Sequence, residues 1–406
     1  MEPKKLFPCR VVVALLLSAS LSACQSLAVR ESAAANCPPC PKCPGVDLAQ
    51  PAAKALQLAQ WKDLPGWEED DVSAAWPAFL QSCRALTAKA PAWKKVCAEA
   101  AGVDGKSSAA VRRFFEANFQ PFTATAADGK TEGLVTGYYE PLLKGSRTPG
   151  KLAKVPVYAV PDDLLTIDLS EVVPELRHLR LRGRLVGNKV VPYFARRDIE
   201  EKRIARLGAP LLWVEDQVEH FFLQVQGSGR VKLPDGKLVR LGYADQNGHP
   251  YQSIGRVLIE RGELKPGEAS MQGIQAWARA NPGKLQEVLN ANPSYVFFRE
   301  LPASDDGPLG ALGVPLTAER SLAIDPRAIP LGAPVFLATT RPNSSQPLYR
   351  LMLAQDTGGA IKGVVRADFF WGFGAQAGEQ AGRMKQSGKM WVLLPNGSAA
   401  PEEKSK

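Results

Sequence analysis

From Tyr295 to Leu394 the chain is cut into short apolar runs by glycine and proline. The runs are Tyr295–Phe298, Leu322–Ile324, Pro334–Leu337, Leu348–Ala354, Gly363–Ala367 and Lys389–Leu394. Runs this short, rich in Leu, Val and Phe and closed by turn formers, are strands. Many short strands with little helix between them disfavour a doubly wound parallel sheet, which alternates strands with helices. They favour a small closed barrel.

Inside this region, Leu351–Gly374 places Asp356 and Asp368 among apolar residues, on either side of a Gly-Gly turn and Lys362. Leu351–Ala354 is expected as a buried strand that ends in the tight turn Asp356-Thr357-Gly358-Gly359. Gly363 then releases a second strand, Val364–Ala367, which delivers Asp368 directly before Phe369, Phe370 and Trp371. A carboxyl beside three aromatics is desolvated, which raises its pKa and suits it to donate a proton. Asp325, just after Leu322–Ile324, is a third acid in the same setting. Acids among apolar strands serve either structural hydrogen bonds or chemistry.

Upstream, Val72–Leu86, Ala92–Ala101 and Ala109–Phe119 have helical periodicity. Cys83 and Cys97 lie on the first two of these segments. In an oxidising compartment they are expected to form a disulfide that clamps a helical hairpin. Gly133–Glu140 is expected as a strand, and Pro141 marks a change of character. Strands are expected at Val155–Val160, Leu185–Tyr193, Leu211–Gln217 and His220–Gln226, and a helix at Asp198–Leu207. Val231–Leu241 contains Pro234-Asp235-Gly236, a hairpin turn. Ser253–Arg261, Met271–Asn281 and Gly283–Asn290 carry helical patterns.

At 406 residues the chain has room for two or three domains, and 45% hydrophobic with 22% charged residues is ordinary globular composition. The net charge of +9 suggests anionic surroundings. Without an Arg-rich run, a zinc-finger spacing or an aromatic-basic signature, no nucleic acid is expected as a partner. Met1–Ala23 has the form of an export signal: Lys4, Lys5 and Arg10, then the apolar Val11–Ala19, then small residues. Leu21-Ser22-Ala23-Cys24 resembles the lipobox of bacterial lipoproteins, which implies lipidation of Cys24. Gln25 next to it resembles the outer-membrane sorting pattern. Residues 24–57 read as an Ala-, Pro- and Cys-rich tether. Its Cys37, Cys40 and Cys43 lack a fourth ligand for a zinc site.

The three histidines, His178, His220 and His249, have no nucleophile signature near them. Gln226-Gly-Ser-Gly229 matches a serine elbow only loosely, because glutamine replaces the outer glycine. Metal-ligand patterns and a P-loop are missing from the sequence. Asp356-Thr357-Gly358 matches the aspartic-protease motif, but the second copy such a dyad needs is not there. What remains is carboxylate chemistry beside aromatic and amide groups that suit sugars: Tyr138, Tyr139, Gln224, Gln226 and Ser228.

Ala354-Gln-Asp-Thr-Gly-Gly-Ala-Ile-Lys-Gly363 followed by Val364-Val-Arg-Ala-Asp368 resembles the membrane-bound lytic murein transglycosylase A family. So do Thr136-Gly-Tyr-Tyr-Glu-Pro141, Phe222-Leu-Gln-Val-Gln-Gly-Ser-Gly229, Pro250-Tyr-Gln-Ser-Ile-Gly255 and Asn292-Pro-Ser-Tyr-Val-Phe-Phe298. The resemblance implies an α+β, mainly β fold. A large domain (residues 58–141 plus 300–397) would hold a double-psi β-barrel, and a smaller β-rich domain (142–299) would be inserted across a groove. Residues 398–406, polar in sequence, are expected as a frayed tail. It implies Asp368 as the single catalytic acid/base and Asp356 as its auxiliary, with Asp325 the third aspartate of the region. The groove would be lined by Thr136, Gly137, Tyr138, Gln224, Gln226, Gly227, Ser228 and Gly229. Lys362 would fix a carboxylate or a peptidoglycan peptide.

The implied reaction is non-hydrolytic cleavage of the β-1,4 bond between N-acetylmuramic acid and N-acetylglucosamine, leaving 1,6-anhydro ends. The implied partners are peptidoglycan glycan strands, an outer-membrane lipid anchor facing the periplasm, and cell-wall synthesis or remodelling enzymes. No metal or organic cofactor is implied. The alternative is an outer-membrane lipoprotein that binds peptidoglycan without cleaving it.

Overall fold

The computed structural model describes residues 55–87, 91–174, 176, 179–201 and 207–398. The expected signal segment, Cys24 and the Cys37–Cys43 motif lie outside these residues, as does the expected tail beyond 398.

The N-terminal part carries β1 (Leu56–Leu58), α1 (Trp76–Leu86), α2 (Pro91–Ala100), α3 (Ser108–Asn118), β2 (Phe119–Ala124) and β3 (Gly133–Glu140). Next come β4 (Leu142–Ser146), β5 (Val155–Val157), β6 (Leu165–Thr166), β7 (Arg182–Val186), β8 (Lys189–Pro192), α4 (Arg196–Glu201) and β9 (Leu212–Val214). They are followed by α5 (Gln217–Gln226), β10 (Ser228–Lys232), β11 (Leu238–Gln246), α6 (Ile254–Glu260), α7 (Met271–Ala280), α8 (Leu285–Asn290) and β12 (Val296–Leu301). The C-terminal part holds β13 (Ser321–Ile324), β14 (Pro334–Thr340), β15 (Pro347–Asp356), β16 (Arg366–Phe373), α9 (Gly374–Arg383) and β17 (Lys385–Pro395).

The first and last parts share one eight-stranded sheet of order β1-β2-β17-β14-β15-β13-β16-β3, and β17 also pairs with β3. The long β17 achieves this by splitting its length. Trp391–Pro395 pair with β2, and Lys385–Gly388 pair with β3. The middle part forms a six-stranded sheet, β12-β11-β10-β4-β9-β5, and a separate three-stranded sheet, β6-β7-β8. The chain passes from one sheet to the next at Pro141 and returns after Leu301. Both crossings are stitched together. Glu140 accepts from Arg230 Nε at 2.9 Å, while Arg230 and Arg240 donate to the Asp306 carbonyl at 3.1 and 2.9 Å.

Helices α1 to α3 pack an aromatic cluster onto the eight-stranded sheet: Phe79 lies 5.1 Å from Phe115 and 5.2 Å from Trp76, centroid to centroid. Such edge and tilted contacts add about 0.5–1.5 kcal/mol each beyond area burial. The Cys83–Cys97 disulfide clamps α1 to α2. A buried bidentate pair joins the segment before α1 to the strands. Asp70 accepts from Arg320 at 2.8 and 3.0 Å and from the Leu351 N–H at 2.7 Å. Removing one partner of such a pair leaves a buried charge unmatched, at a cost of roughly 3–5 kcal/mol.

Several elements differ from expectation. His220–Gln226 is helical. The Asp216 carboxylate caps α5 by accepting from the Val218 and Glu219 N–H groups, both at 2.8 Å. Val218, Phe221 and Leu223 are buried from it. The short apolar segment expected as a strand is one face of this helix. Leu185–Tyr193 is a hairpin that turns at Gly187, whose φ is +60°. The strand expected at Gly363–Ala367 begins at Arg366 and continues through all three aromatics, so Asp368 sits inside it. Helix α9 was not anticipated, because it is built of small residues rather than an apolar stripe. Ala377, Gly378 and Ala381 let it lie close on β3, where a Cβ on Gly378 would come within 2.7 Å of the Tyr139 ring.

Candidate active site

Strand β13 separates the strands that carry the two acids, and the register brings the acids into one row. Ala323 pairs with Asp368 on the antiparallel β16 and with Asp356 on the parallel β15. Thr136 on β3 pairs with Asp368 from the other side. Residues paired across a sheet point to the same face, so Thr136, Asp368, Ala323 and Asp356 form one line across four strands. With strands about 4.8 Å apart, the two aspartate backbones stand roughly 10 Å apart, with Ala323 between them in the register.

A bulge in β15 makes this row possible. Ala354 pairs with Leu322 and Asp356 with Ala323, which leaves Gln355 as the extra residue. Its buried side chain is anchored at both ends. Ser321 Oγ donates to it at 2.6 Å, and its amide donates to the Ala78 carbonyl at 2.8 Å and Ser82 Oγ at 3.0 Å. Without the bulge, Asp356 would face the opposite side of the sheet from Asp368.

Both acids line a cavity of about 500 Å³. One wall is the Asp356–Ile361 turn with Pro308–Gly313; the other comes from Gln224–Ser228, Tyr243, Tyr251 and Arg299. Burial pushes the Asp356 carboxyl up to about 6, against the pull of the Thr357 and Ala311 N–H groups and the Tyr138 hydroxyl. The Ala311 N–H donates to Asp356 Oδ1 at 2.9 Å. Burial also raises Asp368, opposed by the Arg366 guanidinium. Arg366 Nη1 donates to Asp368 Oδ1 and Nη2 to Thr136 Oγ1, both at 2.8 Å. The buried Tyr138 hydroxyl is near Asp356 without reaching ordinary hydrogen-bond geometry. Its ring packs on Phe370 at 5.1 Å.

The remaining expected residues divide. Gln226 and Ser228 line the cavity, and Gln226 also accepts from the Tyr139 N–H at 3.0 Å, which ties the end of α5 to β3. Gln224 reaches the wall too, but its side chain is buried and held by Arg196. Gly227 ends α5 with a φ of +80°, a left-handed position that favours glycine. Thr136, Gly137, Tyr138 and Gly229, expected in the groove, lie outside the cavity lining; Gly137 and Gly229 instead leave room for packing. A Cβ on Gly137 would come within 2.8 Å of the Ala381 Cα, and one on Gly229 within 2.5 Å of Leu223.

Lys362 is exposed and outside the cavity lining. Asp325 is also outside the lining. It accepts from Arg327 at 2.6 Å and from the Gly363 N–H at 2.8 Å. Burial alone would raise its carboxyl, yet these donors hold it below the usual value, so Asp325 acts as a brace for the Gly363 turn. Sequence reasoning missed Arg366, Ala323 and Arg180, whose guanidinium lies 3.5 Å from Thr357 Oγ1 at the cavity. Arg366 was legible in principle, because a residue two before Asp368 in a strand shares its face.

Comparison with known proteins places this geometry among relatives. The MltA specific insert domain matches residues 134–299 and the 3D domain matches residues 320–394. Membrane-bound lytic murein transglycosylase A of Escherichia coli K12 is 34% identical over 265 residues, and the chain spans 64% of that relative's length. The crystal structure of MltA from Neisseria gonorrhoeae, monoclinic form, aligns with a TM-score of 0.75 and 42% identity. That alignment covers 87% of this chain and 98% of that one. Escherichia coli MltA with bound chitohexaose aligns at a TM-score of 0.58 and 26% identity, covering 86% of this chain and 96% of that one.

Proposed function

The chain belongs to the membrane-bound lytic murein transglycosylase A family, and we propose that it is a peptidoglycan lytic transglycosylase that uses Asp368 as acid and then base. The observation that carries this reading is the row in which Asp368 and Asp356 face one cavity across the small Ala323. The chitohexaose bound to the Escherichia coli relative supports a glycan strand as the occupant of that cavity.

In the proposed reaction, neutral Asp368 protonates the leaving O4 as positive charge develops at the anomeric carbon. The resulting carboxylate then takes the proton of the muramyl 6-hydroxyl as that oxygen attacks its own sugar and closes the 1,6-anhydro ring. The nucleophile belongs to the substrate, so its proximity comes without an activated water. Asp356, when ionised, stabilises the cationic sugar from the other end of the row. Thr136, which holds one arm of Arg366, and Tyr138, beside Asp356, support the sheet side of the cleft from outside its lining, and Gln226 and Ser228 line the facing side.

The same reading takes residues 58–141 with 300–397 as a double-psi β-barrel domain, and 142–299 as its insert. The β17–β3 pairing that joins strands across the eight-stranded sheet supports it. It also places the protein in the cell envelope, anchored to the outer membrane through Cys24 and facing the periplasm. Among the described residues no helix is long and apolar enough to cross a membrane. Digestion of purified murein followed by mass analysis tests the reaction. Products one water lighter than ordinary reducing fragments are expected; reducing ends would make the enzyme a hydrolase, and no cleavage would leave only binding.

A further inference from the structure

The Arg366 side chain runs along the catalytic face of β16 and ends in a fork. Arg366 pairs with Leu134, and Asp368 with Thr136, on the neighbouring β3. Period-two alternation therefore puts Arg366 and Asp368 on one face. One arm of the guanidinium reaches Asp368 Oδ1 at 2.8 Å, and the other reaches Thr136 Oγ1 at 2.8 Å. The first arm also donates to the Ala367 carbonyl. With side-chain exposures of 15% and 20%, this ion pair is shielded enough to be worth more than a surface pair. Lysine could supply the charge but not the fork.

We propose that Arg366 is a positioning residue for Asp368, fixing Oδ1 against Thr136 so that Oδ2 is offered to the glycan, and setting the pH at which the acid is lost. The inference rests on the acid–base reading above. Proton donation needs a neutral carboxyl, and recovery of a proton needs a carboxylate. Burial favours the first state and an adjacent guanidinium the second. The other groups that face Asp368 are Tyr138 on β3, Asp356 at the end of β15 and, across the cavity, Arg180 and Arg299. Lys385 on β17 stands at the far end of the row, in register with Thr136, and β13 contributes only the uncharged Ala323. Asp356, when ionised, strengthens the proton's hold on Asp368, and Arg366 loosens it.

Two readouts on the full chain test this. Carbon-13 NMR of labelled aspartate carboxyls, with the Asp368 signal assigned by its loss in Asp368→Asn, follows that group's titration without any need for turnover. In Arg366→Gln its midpoint is expected to move up by roughly one unit, the lower end of what a neighbouring Arg does to an Asp. The alkaline limb of murein cleavage is expected to move up with it, while turnover at the optimum falls about 10-fold or more. Arg366→Lys should keep the midpoint and still lose turnover. Thr136→Val, which frees one arm of the fork, should shift the midpoint in the same direction by less, and it serves if Arg366→Gln does not fold. An Asp368 midpoint unmoved in Arg366→Gln, or turnover and limb unaltered in that variant, would overturn the inference. If the midpoint moves but the wild-type protein makes no anhydro product, the pairing stands and the catalytic reading falls.

Discussion

The two walls of the cavity are built on opposite plans. On the eight-stranded side, the acids stand in mid-sheet with their carboxyls raised by burial. On the facing side, the motif residues mostly serve the scaffold: Gln224 is held by Arg196, Gln226 ties α5 to β3 through the Tyr139 N–H, Gly227 ends a helix and Gly229 admits Leu223. Two long sequence motifs that look equally functional therefore do different work. One carries charge that folding leaves poised, and the other carries the shape against which that charge acts. Asp325 marks the boundary between the plans: it lies in the acidic region but is so fully satisfied that its carboxyl falls below the usual value.

The sharpest way to break this contrast is to neutralise the first wall. Asp368→Asn is expected to cut turnover at least ~100-fold, the scale of general acid–base help, with glycan binding and thermal melting little changed. The sign of the pH dependence follows from the same group. A donor must be neutral, and burial keeps Asp368 neutral to a higher pH than a free carboxyl. Cleavage should therefore fall as pH rises through the folded-state pKa of Asp368. A rate that rises across that range would assign proton donation to another group.

Next in size is the clamp beneath that wall. Replacing Cys83 and Cys97 by serine opens a loop of 14-residue separation and is expected to cost about 3 kcal/mol, read by urea unfolding. The site row should remain intact at 25 °C. The smallest effect probes the facing wall. Gln226→Ala leaves the Tyr139 N–H without its acceptor, and roughly 1–3 kcal/mol of stability should be lost. Turnover should fall far less than in Asp368→Asn. A loss of turnover equal to that of Asp368→Asn, with melting unchanged, would show that the facing wall takes part in the chemistry and would erase the distinction.

The strand content of the C-terminal part was legible, because short apolar runs closed by turn formers leave few alternatives, whereas the pairing of Asp356 with Asp368 was implied by the family resemblance. Register was not legible. Whether Asp356 faces Asp368 depends on one bulge at Gln355, and that bulge is held by Ser82 and Ala78, far earlier in the chain. Helix α5 was mistaken for a strand because, over so few residues, a buried helix face and an alternating strand look alike. Its cap, Asp216, was the available signal. Helix α9 left no apolar stripe to find, since close backbone approach rather than bulk holds it to β3.

The most direct test of the account is a structure of Asp368→Asn with a murein glycan fragment bound. The account predicts a strand lying across the Thr136–Asp368–Ala323–Asp356 row, with a glycosidic oxygen within about 2.6–3.2 Å of the residue 368 side chain. A fragment seated elsewhere, or one whose glycosidic oxygens all lie beyond that reach, would contradict it.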